Sequence, residues 1–446
     1  MFFDYNYTRV YVWVNMDIIH IPDEFVPEGY TMNVKQIFEN NADRLNKLYA
    51  GKDQLARYEA LAEAYRANFG AEADMFVSAP GRTEVVGNHT DHQNGRVLAG
   101  AVNLDTVAAI AANGGNTVRL YSEGYDKAFE VDLSDLNVHE EEKNTTYALI
   151  RGVAAKLNEL GYKIGGFNAQ VTSTVFKGSG LSSSAAFEVM LVAAFDALFN
   201  GWTIDAKLNA RISQYAENVF FGKPSGLLDQ TASAVGGLVA LDFSPAIAEV
   251  EALKYDFGAK GYSVCVVSAG GDHGDLTDAY ASIPVEMRQV AKLMGEEILE
   301  KITPEMLENA LPQLKNKVSD RAILRAFHFV DETRRVVDAV NGLKADDPAA
   351  FFRAVIGSGE SSWKLLQNLH VEGGSNQEMP LALEMSRRML EGKGAWRIHG
   401  GGFAGTILAF VPNDMVEKYS AAMNAVFGEN ATTALSIRPE GVVCIR

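Results

Sequence analysis

Two short stretches concentrate side chains able to handle an anion and a proton. The first, Arg82-Thr83-Glu84-Val85-Val86-Gly87-Asn88-His89-Thr90-Asp91-His92, packs an arginine, two histidines and an aspartate into eleven residues. Polar groups this dense between apolar runs are seldom there for packing, although an ordinary polar loop has the same composition. The second, Gly178-Ser179-Gly180-Leu181-Ser182-Ser183-Ser184, separates a β-branched run ending at Val175 from an apolar helical pattern that begins at Ala185. Glycine lets backbone approach a ligand closely, and serine caps free N–H groups where a helix begins. Such a loop reads either as a well-capped helix or as a phosphate cradle, because free N–H donors and the helix dipole both favour an anion. Farther along, Gly222-Lys223-Pro224-Ser225-Gly226-Leu227-Leu228-Asp229-Gln230 is a turn followed by a carboxylate between apolar residues. Asp229 is there either to cap a helix or to accept a proton beside a cation.

The flanking patterns predict what positions these groups. Helical periodicity over 33–69 predicts a pair of amphipathic helices, and a strand over 75–78 runs into the Pro80-Gly81 turn. Apolar strands are expected at 97–102 and 106–110, a hairpin at 117–133, a helix at 147–160, and a helix over about 205–219 carrying Glu217. Strands return at 237–243 and 262–267, with a domain boundary between them. Helices then dominate until strand, glycine turn and strand close the chain over 395–411. The first 32 residues read as an extension or an added edge strand. Their apolar run, Tyr11 to Ile19, is interrupted by Asn15 and Asp17 and is too short for a bilayer.

Several motifs present by letter fail on context. Gly400, Gly402 and Gly405 satisfy G-x-G-x-x-G, but a β-type run follows where a dinucleotide site needs a helix. Asp256-Phe257-Gly258 lacks the other protein-kinase signatures. There is no G-x-x-x-x-G-K-[ST] and no H-E-x-x-H. With 47% hydrophobic and 22% charged residues, the 446-residue chain has a globular composition and room for two domains or more. A net charge of −17 argues against nucleic acid as a partner, since that affinity rests on clustered cations. Two cysteines, Cys265 and Cys444, with no CxxC, suit a reducing cytosol and exclude a thiolate zinc cluster. No membrane partner is expected, cytoplasmic is the expected location, and a monomer is assumed.

Three separated elements, Pro80-Gly81-Arg82 with Gly87-Asn88-His89-Thr90-Asp91, the glycine–serine loop through Ala186, and Gly400-Gly401-Gly402-Phe403-Ala404-Gly405, together resemble the signatures of the galactokinase branch of the GHMP small-molecule kinases. The resemblance spans about 33–446. It implies an α/β (α+β) two-domain enzyme with a mixed-sheet domain over 33–252, an α+β domain over 253–446, and the site in the cleft between them. It implies an ATP-dependent sugar 1-kinase whose phosphates lie against Gly178, Ser179, Gly180, Leu181, Ser182, Ser183 and Ser184. Ser184 and Glu217 would hold Mg²⁺, Asp229 would be the catalytic carboxylate and Arg82 its cationic neighbour. His89, Asp91, Gly226 and Tyr280 would face the sugar, as would Asn88. Galactokinases normally carry Glu where this chain has Asn88 and Tyr where it has His92. Galactose is the first expectation; a neutral amide would not repel a carboxylate, which makes galacturonate the alternative. A catalytically silent sugar sensor is a third reading, which the intact serine loop and Asp229 disfavour. At His399 the family usually has a small or hydroxyl residue, and the resemblance gives no reason for the histidine.

Overall fold

The computed structural model describes residues 10–14, 17–21, 32–175, 180–223, 225–244, 248–270, 277–369, 377–403 and 405–446. Near the N-terminus, β1 (Val10–Val14) and β2 (Asp17–Ile21) form a hairpin, and among the described residues no other strand joins its sheet. The edge-strand reading of this segment is thereby corrected: each strand finds its ladder in the other. Where periodicity predicts two helices there are three, α1 (Val34–Asn40), α2 (Ala42–Leu48) and α3 (Leu55–Phe69). The extra break falls at Asn41, whose backbone leaves the helical region at φ −111°.

The first sheet is built on two long strands, β3 (Met75–Val86) and β4 (Arg96–Ala112). It also takes in β5 (Thr117–Ser122) and β6 (Phe129–Asp132). Helix α4 (Thr146–Glu159) precedes β7 (Phe167–Ser173), and α5 (Ser183–Phe195), α6 (Ala206–Tyr215) and α7 (Leu228–Val235) follow. Strands β8 (Leu238–Asp242) and β9 (Glu249–Leu253) complete this half; β9 lies where the sequence suggests only a linker. The sheet is mixed, since β5 and β7 run parallel while the other pairs are antiparallel. Period-two alternation sends Val77, Ala79, Ala108 and Ile110 toward α4, α5 and α6. Phe76, Val107 and Ala109 face α1, α2 and α3 on the other side. Both faces are covered, which is why these strands read as nearly continuous apolar runs. Among the described residues one stretch, Ser183–Asn200, has the length and apolarity to cross a membrane, and 61% of it is buried in this core.

The second sheet is antiparallel, with β10 (Tyr262–Ser268) at its centre. Helices α8 (Thr277–Leu293), α9 (Pro304–Leu314), α10 (Asp320–Lys344), α11 (Pro348–Ser361) and α12 (Glu378–Leu390) come next. The chain continues through β11 (Ala395–Ile398), β12 (Thr406–Pro412), α13 (Val416–Phe427) and β13 (Thr432–Leu435). The final strand, β14 (Val443–Ile445), pairs with β3 in the first sheet. One face of the second sheet packs on α12 and α13 through Val267, Ile398, Leu383 and Tyr419. Its other face, with Val264, Val266 and Phe410, shares an apolar cluster with Val336, Phe351, Val85, Val86 and Leu98. The two sheets are therefore joined by a common core, and the polar groups described next lie at its rim.

Candidate active site

Arg82 leaves β3 toward the first turn of α7 and grips Asp229 with two parallel hydrogen bonds. Nε lies 2.6 Å from Oδ1 and Nη2 lies 2.8 Å from Oδ2. This fork-to-fork geometry is the strong, directional form of an ion pair. Arg82 Nη1 also donates to the Gly180 carbonyl, and the Arg82 backbone N–H donates to the Leu181 carbonyl at 3.0 Å. The serine loop is thus tied by its own backbone to the strand that carries the arginine. Ser182 precedes α5 in the left-handed region (φ 56°), and its hydroxyl donates to Asp229 Oδ2 rather than capping the helix. Burial works to raise the Asp229 carboxyl. Arg82 outweighs it, aided by Ser182 and Lys223, and holds the group below the usual carboxylate range. Asp229 is therefore ionised at neutral pH, with a third of its side chain exposed.

A second carboxylate lies behind it. Glu217 sits on a π-helical turn, Ala216–Phe221, that continues α6, a distortion that re-aims side chains and recurs at functional sites. Its Oε1 is 3.5 Å from Ser184 Oγ and 2.8 Å from Lys223 Nζ. Ser225 and Gln230 donate to Oε2 at 2.5 and 2.8 Å. Gln230 also donates, at 3.1 Å, to Glu188, which is wholly buried. Burial, then the Glu217 charge, pushes the Glu188 carboxyl well above its ordinary value. Among the described residues no cluster of three or more His, Cys, Asp or Glu has metal-binding geometry. A hard cation here would take one hydroxyl and one carboxylate from the protein and its remaining oxygens from phosphate and water. The ammonium of Lys223 rests on the same carboxylate oxygen, Oε1, as the Ser184 hydroxyl.

On the opposite flank, the loop after β3 carries His89 and Asp91. His89 (φ 56°) is 2.8 Å from the Gly401 carbonyl through Nε2, and its ring faces Tyr280 of α8 with centroids 6.4 Å apart. The Tyr280 hydroxyl donates to the Gly402 carbonyl. A Cβ on Gly401 would stand 2.8 Å from the Tyr280 ring, so the third glycine stretch works here as a close-packed wall. Asp91 Oδ1 accepts from the His92 N–H at 2.9 Å, while Oδ2 points at Gly226, where a Cβ would come within 2.2 Å. A side chain at position 226 would therefore displace the Asp91 carboxylate.

Asn88, expected against the acceptor, is wholly enclosed. Its Nδ2 donates to Glu84 Oε1 at 2.9 Å and to the Gly400 carbonyl at 2.7 Å; its Oδ1 accepts from Asn368 at 2.8 Å and from Ser362 at 3.3 Å. Every polar atom of the amide is engaged within the protein. His399 spans the same region: Nε2 lies 3.0 Å from Thr83 Oγ1, and a Cβ on Gly180 would stand 2.8 Å from Nδ1. It fills the space between β3 and the serine loop, which accounts for a bulky polar residue there. His92 is kept neutral, its pKa lowered to about 3 by burial and by the nearby His89 and Arg288. Gly178 and Ser179 lie outside the described residues, and Ser183 occupies the first turn of α5. Glu84, Glu188, Lys223, Ser225 and Gln230 carry no role in the sequence reading. Lys223, Ser225 and Gln230 lie inside the quoted motif around Asp229, but only the fold reveals that they converge on Glu217.

The galactokinase galactose-binding signature matches residues 63–112, and the GHMP kinases N terminal domain matches residues 148–237. A galactokinase from Streptomyces coelicolor is 31% identical over 373 residues, covering 82% of this chain and 92% of that protein. This chain belongs to the galactokinase family. A second family member, the galactokinase of Glaesserella parasuis serovar 5, is 29% identical over 389 residues and is covered to 95%. The galactokinase fold of this chain is also that of Lactococcus lactis galactokinase, solved with galactose. The TM-score is 0.75 at 22% identity, over 86% of this chain and 99% of that one. The mevalonate kinase of Methanococcus jannaschii shares the fold at a TM-score of 0.59, over 81% of this chain and 98% of its own. The two-domain GHMP-kinase architecture expected from the sequence is therefore present.

Proposed function

We infer that this protein transfers the γ-phosphoryl group of ATP to the anomeric hydroxyl of D-galactose, giving α-D-galactose 1-phosphate and ADP. The observation that carries the reading is the Arg82–Asp229–Ser182 constellation: an ionised carboxylate, held bidentately, at the mouth of a serine loop that opens a helix. Phosphoryl transfer asks the protein mainly for positioning and for neutralising charge on the moving group. Asp229 accepts the proton of the attacking hydroxyl, and Arg82 keeps it oriented and unprotonated until then. The amide end of α5, with Gly180, Leu181, Ser182 and Ser183, receives the phosphates. Asp91, His89 and Gly226, with Tyr280 behind them, orient the sugar. The galacturonate alternative rested on a neutral side chain at position 88; that amide is enclosed, and the Glu84 carboxylate lies against it. In this reading the chain divides into 33–252 and 253–446, preceded by an extension over 1–32, and works in the cytoplasm.

Mg²⁺ would be held by Ser184 and Glu217, where it would neutralise the phosphate oxygens. Glu217→Gln is expected to raise the Mg²⁺ concentration needed for half-maximal rate by about tenfold or more. Lys223→Met, which removes a competing cation from Glu217 Oε1, should lower it. Equal Mg²⁺ dependence in all three proteins would remove Glu217 from the assignment. The substrate itself is tested by ADP release with galactose, galacturonate, N-acetylgalactosamine, glucose and arabinose. Galactose should be turned over best, and a stronger rate with any of the others overturns the choice of acceptor.

A further inference from the structure

Glu84 follows Arg82 by two residues on β3, and the pairing register runs unbroken from Arg82 opposite Ala101 to Glu84 opposite Ala99. The two side chains therefore leave the same face of the strand, the face from which Arg82 reaches Asp229. Glu84 Oε1 is fully committed: it accepts from Asn88 Nδ2 at 2.9 Å and from Arg397 Nη2 at 3.0 Å. Among the described residues nothing donates to Oε2, and it is not one of the sealed, unpartnered oxygens. The side chain retains 9% exposure.

Arg397 is wholly buried and spends Nη2 on Glu84, while among the described residues its Nε and Nη1 find no partner. Burying a guanidinium is costly unless it is paired, so the Arg397–Glu84 contact is an expensive arrangement to maintain for packing alone. Asn88 has no atom left for a ligand, and it sits at the start of the loop that presents His89 and Asp91. A carboxylate with one oxygen locked and the other open is a hydrogen-bond acceptor in a fixed orientation.

We propose that Glu84 is a sugar-binding residue, presenting Oε2 to hydroxyl groups of the acceptor beside Asp91, with Asn88 and Arg397 as positioning residues that lock its other oxygen. This rests on the galactose 1-kinase reading above and deepens it. Two carboxylates on one flank accept hydrogen bonds from the hydroxyls of a neutral hexose and repel a sugar acid. Glu84 thereby also sets the choice of galactose over galacturonate.

The test is steady-state kinetics of the full chain and of Glu84→Gln, with galactose, galacturonate and ATP each varied, alongside thermal melting. Wild-type protein should prefer galactose by kcat/KM about tenfold or more. Glu84→Gln, which keeps the shape and removes the charge, should raise KM for galactose about tenfold, leave KM for ATP and kcat nearly unchanged, and narrow the preference over galacturonate. A purely structural Glu84 would instead lower the melting temperature and kcat and leave KM for galactose in place, and that result overturns the proposal. So does wild-type protein that uses both sugars equally well, a measurement that holds even if the variant fails to fold. Wild-type protein that turns over neither sugar overturns the kinase reading itself, and this proposal with it.

Discussion

Asp229→Asn should lower kcat for galactose phosphorylation by about 10²–10⁴-fold, the range that a positioned proton acceptor supplies, while KM for galactose changes little. The substitution is isosteric and keeps one oxygen for Arg82, while its NH₂ replaces the second acceptor of the fork. What it removes is the ability to take up a proton at 2.6–2.8 Å from the guanidinium. Because Arg82 holds the carboxyl below its usual range against the opposing pull of burial, the base is ready over the whole neutral range. The sign follows: activity that depends on this group is present above the ordinary carboxylate pKa and falls only as pH drops through the lowered one. In the variant that acid limb should vanish along with the rate. Retained turnover in Asp229→Asn would show that the hydroxyl proton leaves by another route.

Asp105→Asn should cost about 3–5 kcal/mol of stability, the usual consequence of breaking a buried ion pair from one side. Asp105 is fully buried in β4, with Arg57 Nη1 at 2.6 Å from Oδ1 and Arg438 Nη1 at 3.2 Å from Oδ2. The Tyr49 hydroxyl donates to Oδ2 at 2.6 Å and Ser78 donates to the same oxygen. One carboxylate thus ties α3, β3, β4 and the segment leading into β14. An amide leaves two cations with a neutral partner, one of them wholly enclosed. Urea titration should show a lower midpoint with an unchanged slope, the sign of lost stability rather than a changed unfolded state. Although burial opposes it, the two arginines lower the folded-state pKa of Asp105. Its contribution is therefore fully present above the unfolded-state value and is lost as pH falls through the folded one. The variant should lack that component of acid sensitivity. An unchanged midpoint would mean that Arg57 and Arg438 find other acceptors.

Particular residues show where reading the chain succeeds and where it stops. Arg82, Asp91 and Asp229 stand out from residue type and local context, because charge beside glycine turns is conspicuous in one dimension, whereas Glu217 is singled out only by the family resemblance. The strand after Gly405 is legible for the same reason, since Thr406–Pro412 alternates and β-branches where a dinucleotide site would need a helix. Asn88 is the counterexample. Its letter suggests a ligand-facing amide, yet its partners Ser362, Asn368 and Gly400 lie more than 270 positions away in the chain. No local pattern announces them. Lys223, Ser225 and Gln230 are near neighbours in sequence, but their convergence on one carboxylate depends on a π-turn and the start of α7.

Sequence alone determined the family, the positions of the glycine–serine loop and the charged groups, and most strands and helices, because these depend on side-chain chemistry and short-range periodicity. Only the tertiary structure decided which of those groups converge on one another and which are spent on distant partners inside the protein. It closed the first sheet with the last strand of the chain and turned Asn88 inward against Glu84. Those outcomes depend on hydrogen-bond partners and buried charges brought together from opposite ends of the chain, and such pairings leave no trace in the spacing of neighbouring residues.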